Sequence, residues 1–364
     1  MISPADPSLV FIFQKTDNMK TQRFVLTTLL LASLLASCKH EVDLYADFRE
    51  IPIVYGVLEA EADTNFIKIT RAFCTPGDAY QIAQNPDSSN YPGKLDARLT
   101  EFRNGQKTRE IILDTITIHN KQEGVFYAPD QKLYYTAEPL CKNTSGERYA
   151  YQLTVVFPHD TITTRCDMVG NNGFRVQSRA FNFSKEYFFR QRDFRFWPAT
   201  NGSLYHFSLA FTFLEQRTPG GDSVPRTMYW DLYDYEDSYL STHTVEGCYV
   251  FNYFANAFYD ALADFIGGDT AIVGLKRYIT DYPIELSMSA CGRNLQQYLY
   301  YNDPSHLAPP GDLEFSLIQG GYGVFSSRMT HKTKLRLAGT TVPDLLAMTN
   351  WGFKYIGGPL PDEN

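Results

Sequence analysis

Tyr205-His206-Phe207-Ser208-Leu209-Ala210-Phe211-Thr212-Phe213 decides the fold class. Large apolar side chains stand at every second position, with His206, Ser208, Ala210 and Thr212 between them. A helix would scatter these rings around its axis, whereas a strand aligns them on one face. On the C-terminal side, Thr218-Pro219-Gly220-Gly221-Asp222 reads as a turn, and a further strand passes through Tyr229 and Trp230. Ile284, Leu286 and Met288 alternate with Glu285, Ser287 and Ser289. Residues 324–337 read as a late strand pair or one long bent strand.

One stretch breaks the period of two. Phe254, Phe258, Leu262, Phe265 and Ile266 form an apolar stripe at helical spacing, stopped by Gly267-Gly268. The pattern predicts a helix over 254–266. A second, short helix is expected at Val342-Pro343-Asp344, where proline suits the first turn.

Towards the N-terminus the short alternating runs continue. Residues 51–58 and 65–72 flank a polar stretch and read as a hairpin. Residues 95–102 and 108–118 are joined through Asn104-Gly105, which supplies the positive φ angles of a type I′ turn. Tyr151, Leu153, Val155 and Phe157 alternate, and Pro158-His159-Asp160 turns the chain into 161–166. About seven strands at this spacing between 43 and 170 point to an immunoglobulin-like β-sandwich. The expected fold is therefore mainly β. An immunoglobulin-like β-sandwich over 38–170 is followed by a second β-rich domain over 171–364 with one or two helices.

The composition is that of a folded protein: 364 residues, 44% apolar and 15% aromatic. The formal charge is −8 and no basic block exceeds two residues, which argues against nucleic acid as a partner. The apolar run near the start reads as an address. Lys20 and Arg23 precede an apolar stretch over 24–35, too short for a bilayer core that needs about 20 residues. Leu35-Ala36-Ser37-Cys38 looks like a lipobox, in which the cysteine thiol carries the lipid. The expectation is a signal peptide over 19–37, a lipid on Cys38, and residues 1–18 as an extension from a start assigned too early. An acidic body on an acylated N-terminus is tethered to a membrane rather than embedded in it. Lys39, Glu41 and Asp43 loosely resemble the charged tag that sends Bacteroidota lipoproteins to the cell surface. The surface and the periplasmic face of the outer membrane both remain open.

Of the six cysteines, five follow Cys38, and no two stand as CxxC. One possible bridge joins Cys248 and Cys291; buried free thiols are the alternative.

Three word groups carry a resemblance. They are Cys38-Lys39-His40-Glu41-Val42-Asp43, Ile53-Val54-Tyr55-Gly56-Val57-Leu58 with 66–73, and Gly321-Tyr322-Gly323-Val324-Phe325-Ser326-Ser327-Arg328. Together they are similar to segments of uncharacterised Bacteroidota outer-membrane lipoproteins. Some members of that group are encoded beside TonB-dependent transporters, which implies a role in uptake. After Pro309-Pro310 this chain reads Leu313-Glu314-Phe315 where the group has a threonine–asparagine word.

No motif for catalysis is visible: no GxSxG, no HExxH and no P-loop. Gly320-Gly321-Tyr322-Gly323 lacks the lysine and the following helix of a phosphate loop and reads as a turn or bulge beside a sheet. The catalytic set is therefore empty and no cofactor is expected. The densest acidic group is Asp231, Asp234, Glu236 and Asp237, a candidate for Ca²⁺ because loop carboxylates supply its oxygens. The same stretch holds Tyr229, Trp230, Tyr233 and Tyr235, candidates for stacking on a sugar ring. The leading functional expectation is a non-catalytic, lipid-anchored outer-membrane binding or accessory lipoprotein that assists a TonB-dependent transporter. The alternatives are a structural or adhesive surface lipoprotein, in which edge strands pair between subunits, and a glycan or peptide hydrolase.

Overall fold

The computed structural model describes residues 51–72, 77–144, 146–170, 173–188, 190–236, 244–245, 248–267, 274–303 and 317–359, with the backbone alone for 191, 233–236 and 244–245. The expected extension, the signal peptide and Cys38 lie outside the described residues. The strands are β1 (Pro52–Glu59), β2 (Asn65–Arg71), β3 (Asp96–Arg103), β4 (Gln106–Ile112), β5 (Asp114–Ile118), β6 (Gln131–Thr136), β7 (Tyr149–Val156), β8 (Thr161–Asp167), β9 (Arg175–Val176), β10 (Ala180–Phe181), β11 (Gln191–Trp197), β12 (Leu204–Gln216), β13 (Val224–Glu236), β14 (Thr244–Val245), β15 (Cys248–Phe254), β16 (Lys276–Ile279), β17 (Ile284–Cys291), β18 (Tyr322–Leu337) and β19 (Phe353–Tyr355). The α-helices are α1 (Ala79–Ala83), α2 (Pro86–Ser89), α3 (Ala255–Ile266), α4 (Arg293–Asn302) and α5 (Thr341–Ala347). Among the described residues no helix is long and apolar enough to cross a membrane.

Three sheets organise the chain. The largest runs β19–β16–β12–β17–β18–β1–β2–β6–β5, with β13 also on β12 and β10 on β18. The second runs β14–β15–β11–β9 and the third β4–β3–β7–β8. The protein is thus mainly β and multi-sheet with a few helices, as the alternating patterns predict.

Two cores lie between these layers. In the first, Val54, Ile67 and Ile69 of β1 and β2 pack with Leu99, Tyr151 and Leu153 of β3 and β7. In the second, the inward rings of β12 meet the second sheet and α3. Phe207 lies 4.8 Å from Phe196 and 5.3 Å from Phe251, and Phe211 lies 5.3 Å from Phe258, between ring centroids. Offset and edge-on aromatic pairs of this kind add to the gain from burial alone.

The two core clusters part between Met168 and Val169, although Ile318 and Phe325 from beyond residue 170 pack into the first. Hydrogen-bonded sheet also joins the two parts. Strand β1 pairs in parallel with β18, Val54 opposite Gly323. The chain from residue 49 onward forms one compact unit.

Several local expectations meet their structural outcome here. Asn104 and Gly105 hold φ values of 51° and 83°, as a type I′ turn requires. The run 108–118 is not one strand: β4 and β5 lie in different sheets. The switch falls at Leu113, fully buried, whose N–H donates to Ala97 O. Consecutive Ile111, Ile112 and Leu113 hide this break, because alternation there is lost. Residues 322–337 form one long strand, β18. Gly320 takes φ 83° in a turn, and Gly323 sits in β18 beside β1.

Among the described residues the second half holds three α-helices, where one or two are expected. Two match the expected positions, and α4 is the addition. Leu295, Tyr298, Leu299 and Asn302 follow helical spacing, yet no residue of α4 is fully buried, which mutes its apolar stripe. Of the two readings of the cysteines, the buried thiols hold for Cys248 and Cys291. Among the described residues no disulfide joins them, and both are buried on strands of different sheets. Burial pushes the Cys166 thiol up, so it stays protonated.

Candidate functional site

The residues singled out from sequence gather along β13. Alternation places Met228 inward at 2% exposure and leaves Tyr229 outward at 81%. Trp230 packs on the core, 6.1 Å from Phe183. Asp231 is exposed, opposite Ser208, with its Oδ1 3.6 Å from His206 Nε2. Asp234 stands opposite His206, Tyr233 opposite Phe207, and Tyr235 opposite Tyr205; their side chains and that of Glu236 are outside the description. Asp237 lies outside the described residues. Among the described residues no three His, Cys, Asp or Glu side chains converge as metal ligands would.

A different site is built where the two halves meet. Ser326 and Ser327 of β18 are buried and act as a polar seam. Ser327 Oγ donates to Asp167 O at 2.7 Å and accepts from Val169 N at 2.9 Å. Asn294, at the start of α4, donates from Nδ2 to Phe325 O at 2.9 Å and to Arg165 O at 3.2 Å. These bonds fasten the end of β8 against β18 and the start of α4.

Two adjoining clefts open over this seam. One, of about 470 Å³, is lined among others by Arg165, Asp167, Asn201, Ser203, Arg293 and Asn294. The other, of about 410 Å³, shares Arg165, Asp167 and Asn201 and adds Phe102, Asn104, Arg148 and Tyr149. Each is in the size range of small-ligand sites. Three turns hold the rim. The Asn104-Gly105 turn locks to the next hairpin, since Arg148 N donates to Asn104 Oδ1 at 2.9 Å and Asn104 N donates to Arg148 O at 2.8 Å. Asn201 takes φ 61° and donates from Nδ2 to Met168 O at 3.0 Å. Gly170 bridges Thr200, and a Cβ there would fall 2.4 Å from Asn143 Cβ, so glycine is required.

Charge distinguishes the cleft. Arg103 and Arg328 are neutralised by Glu147 and Glu59. Among the described residues, Arg148, Arg165 and Arg293 carry no ion pair. Arg165 instead lays its guanidinium 4.4 Å from the Phe102 ring centroid, which fixes its plane. The lining therefore has three arginines against the single carboxylate of Asp167 on a chain of net charge −8. Sequence reading finds the Asn104-Gly105 turn but not this cleft, because its residues are spread from 102 to 326 and share no local motif.

A buried network supports the wall formed by β3 and β7. Glu101, 5% exposed, accepts from Tyr151 OH at 2.5 Å, Arg109 Nε at 2.9 Å and Thr108 Oγ1 at 2.7 Å. The Tyr151 hydroxyl also accepts from Cys141 N at 2.8 Å. Burial raises the Glu101 carboxyl pKa, but the hydrogen bonds from Tyr151, Thr108 and Arg109 outweigh it, and the net shift is downward. A depressed folded pKa means stability that is present above the unfolded value and lost as pH falls through the folded one. Replacing Glu101 by Gln is expected to flatten the acid limb of a stability–pH curve followed by urea unfolding. Tyr151→Phe should cost about 1–3 kcal/mol, because it strips a partner from both a buried carboxylate and a backbone N–H.

No family model matches the sequence, and no curated protein matches it as a relative.

Proposed function

We propose that this chain is a non-catalytic, lipid-anchored outer-membrane lipoprotein that binds a ligand in the cleft between its halves and assists a TonB-dependent transporter. The observation that carries the binding reading is the cleft itself: the side chains of Asn104, Asn201 and Asn294 are fixed by hydrogen bonds to backbone groups, and Arg165 is stacked on Phe102. Such groups bind without a large ordering cost, which is what a binding site needs. The anchor reading rests on the lipobox at 35–38, and the transporter reading on the resemblance to envelope lipoproteins.

The first half is read as an immunoglobulin-like sandwich. Its strand orders, β1–β2–β6–β5 and β4–β3–β7–β8, match the order ABED facing C′CFG of that fold. Tyr151 on the seventh strand, bonded to the backbone N–H of Cys141 upstream, fits the tyrosine corner found there.

The anchor is tested by metabolic labelling with an alkyne palmitate and by fractionation. Wild-type protein is expected to carry label and to sediment with membranes, whereas Cys38→Ala should carry none and stay out of the outer-membrane fraction. A labelled Cys38→Ala, or an unlabelled wild type, overturns the lipoprotein reading. Crosslinking in cells followed by identification of the attached barrel tests the transporter partnership; a chain that crosslinks to none defeats it.

A further inference from the structure

We propose that the junction cleft recognises an acidic oligosaccharide, a chain that bears both hydroxyl groups and carboxylate or sulfate groups. This rests on the binding reading above and goes on to name the ligand chemistry. Three observations combine.

The first is charge without a partner. Arg148, Arg165 and Arg293 line two adjoining clefts of about 410 and 470 Å³ and make no ion pair among the described residues. Neighbouring Arg103 and Arg328 do make one. An arginine fork fits a planar or tetrahedral oxyanion with two parallel hydrogen bonds. Arg293 in one cleft, Arg148 in the other and Arg165 in both favour a ligand with repeated anionic groups over a single small ion.

The second is the state of the amides. Asn104 uses Oδ1 for Arg148 N and keeps Nδ2. Asn201 uses Nδ2 for Met168 O and keeps Oδ1. Asn294 uses Nδ2 for Phe325 O and Arg165 O and keeps Oδ1. Each side chain is thus fixed at one end and has hydrogen-bonding capacity at the other. A hydroxyl both donates and accepts, so hydroxyl-rich ligands satisfy such a mixed set. Asp167 adds an acceptor for hydroxyl donors, although it would repel a ligand that carried only anions.

The third is contrast. The chain as a whole is acidic, so a positive cleft is a local exception that long-range charge does not explain. Nucleic acid would need a wider basic surface, and Asp167, which lines both clefts, repels a phosphate.

The test is isothermal titration of the full chain, lacking its leader, with four probes: a galacturonic acid hexamer, a heparin-derived hexasaccharide, a maltohexaose and inorganic sulfate. The two acidic chains separate the carboxylate source from the sulfate source. At least one is expected to bind, with affinity that falls when salt is raised from about 50 to about 300 mM. Arg165→Gln and Arg293→Gln are each expected to weaken it about tenfold, the loss of one charge-assisted contact. Both arginines are exposed, so their variants should melt with the wild type, and Lys332→Gln, far from the cleft on β18, should bind as wild type does. Three outcomes overturn the proposal: no binding of either acidic chain, equal loss with Lys332→Gln, or maltohexaose bound as tightly as the acidic probes. The last would leave a sugar-binding cleft in place while removing the charge-based choice. Sulfate alone binding as tightly as the hexasaccharide also counts against it, since a lone oxyanion site would then suffice.

Discussion

Gly323→Ala is expected to destabilise the protein by about 4 kcal/mol or more, among the largest effects a single methyl group can produce. Gly323 stands in β18 with φ 109°, opposite Val54 of β1. A Cβ there would lie 2.0 Å from Val54 O and 2.8 Å from Val54 C. Both are backbone atoms, so no rotamer change relieves the clash; the strands must move apart. That pairing joins the two halves, and its loss spreads along the ladder from Ile53 to Glu59. The melting temperature should drop by on the order of 10 °C. Gly93→Ala is the matched control. It has φ 73° but nothing within 4 Å of the added methyl, so it should cost about 1 kcal/mol from backbone strain alone. If the two variants melt together, β1 and β18 are not paired at this register.

Glu215→Gln is expected to cost about 3–5 kcal/mol, because it weakens the pairing of a buried cation. Glu215 of β12 is 3% exposed and Arg277 of β16 is completely buried. Its Oε2 accepts from Arg277 Nε at 3.0 Å and from Arg226 Nη1 at 2.9 Å, while Oε1 accepts from Arg217 Nε at 3.0 Å. Arg277 also donates from Nη1 to Trp351 O at 2.7 Å, which ties β16 to the segment before β19. Among the described residues this one carboxylate pairs with three guanidinium groups. Removing its charge weakens the pairing of Arg277 in a low-dielectric site. Arg217, whose side chain is 59% exposed, is screened by water, and Arg217→Gln should cost less than about 1 kcal/mol. The double variant Glu215→Met with Arg277→Met should recover part of the loss, because two apolar side chains need no pairing. Equal destabilisation by Glu215→Gln and Arg217→Gln in urea titrations would show that the network does not carry the load assigned to it.

How far each feature is legible from sequence follows from the range of the interaction behind it. Period-two burial depends on nearest neighbours along a strand, so β12, β17 and β18 are readable directly. The Asn104-Gly105 turn is readable because two φ angles at adjacent residues define it. The helix α3 carries a full apolar stripe with Phe258 and Leu262 completely buried, and it is equally plain. In α4 the same spacing is present, but its residues rest on the surface of the sheet and the stripe is blurred by Tyr300 and Tyr301. The break between β4 and β5 is invisible for a related reason: the chain stays extended while it changes sheet.

The β class, the turns and the main helix are legible in local sequence. Each is written in residues within a few positions of one another. Only long-range contact makes one sheet run through both halves and brings Ile318 and Phe325 into the first core. The same contact places Arg148, Arg165 and Arg293 with three asparagines around two adjoining clefts. Those contacts join residues as far apart in sequence as Val54 and Gly323. No local pattern encodes them, because they exist only once β8, β18 and α4 are brought together.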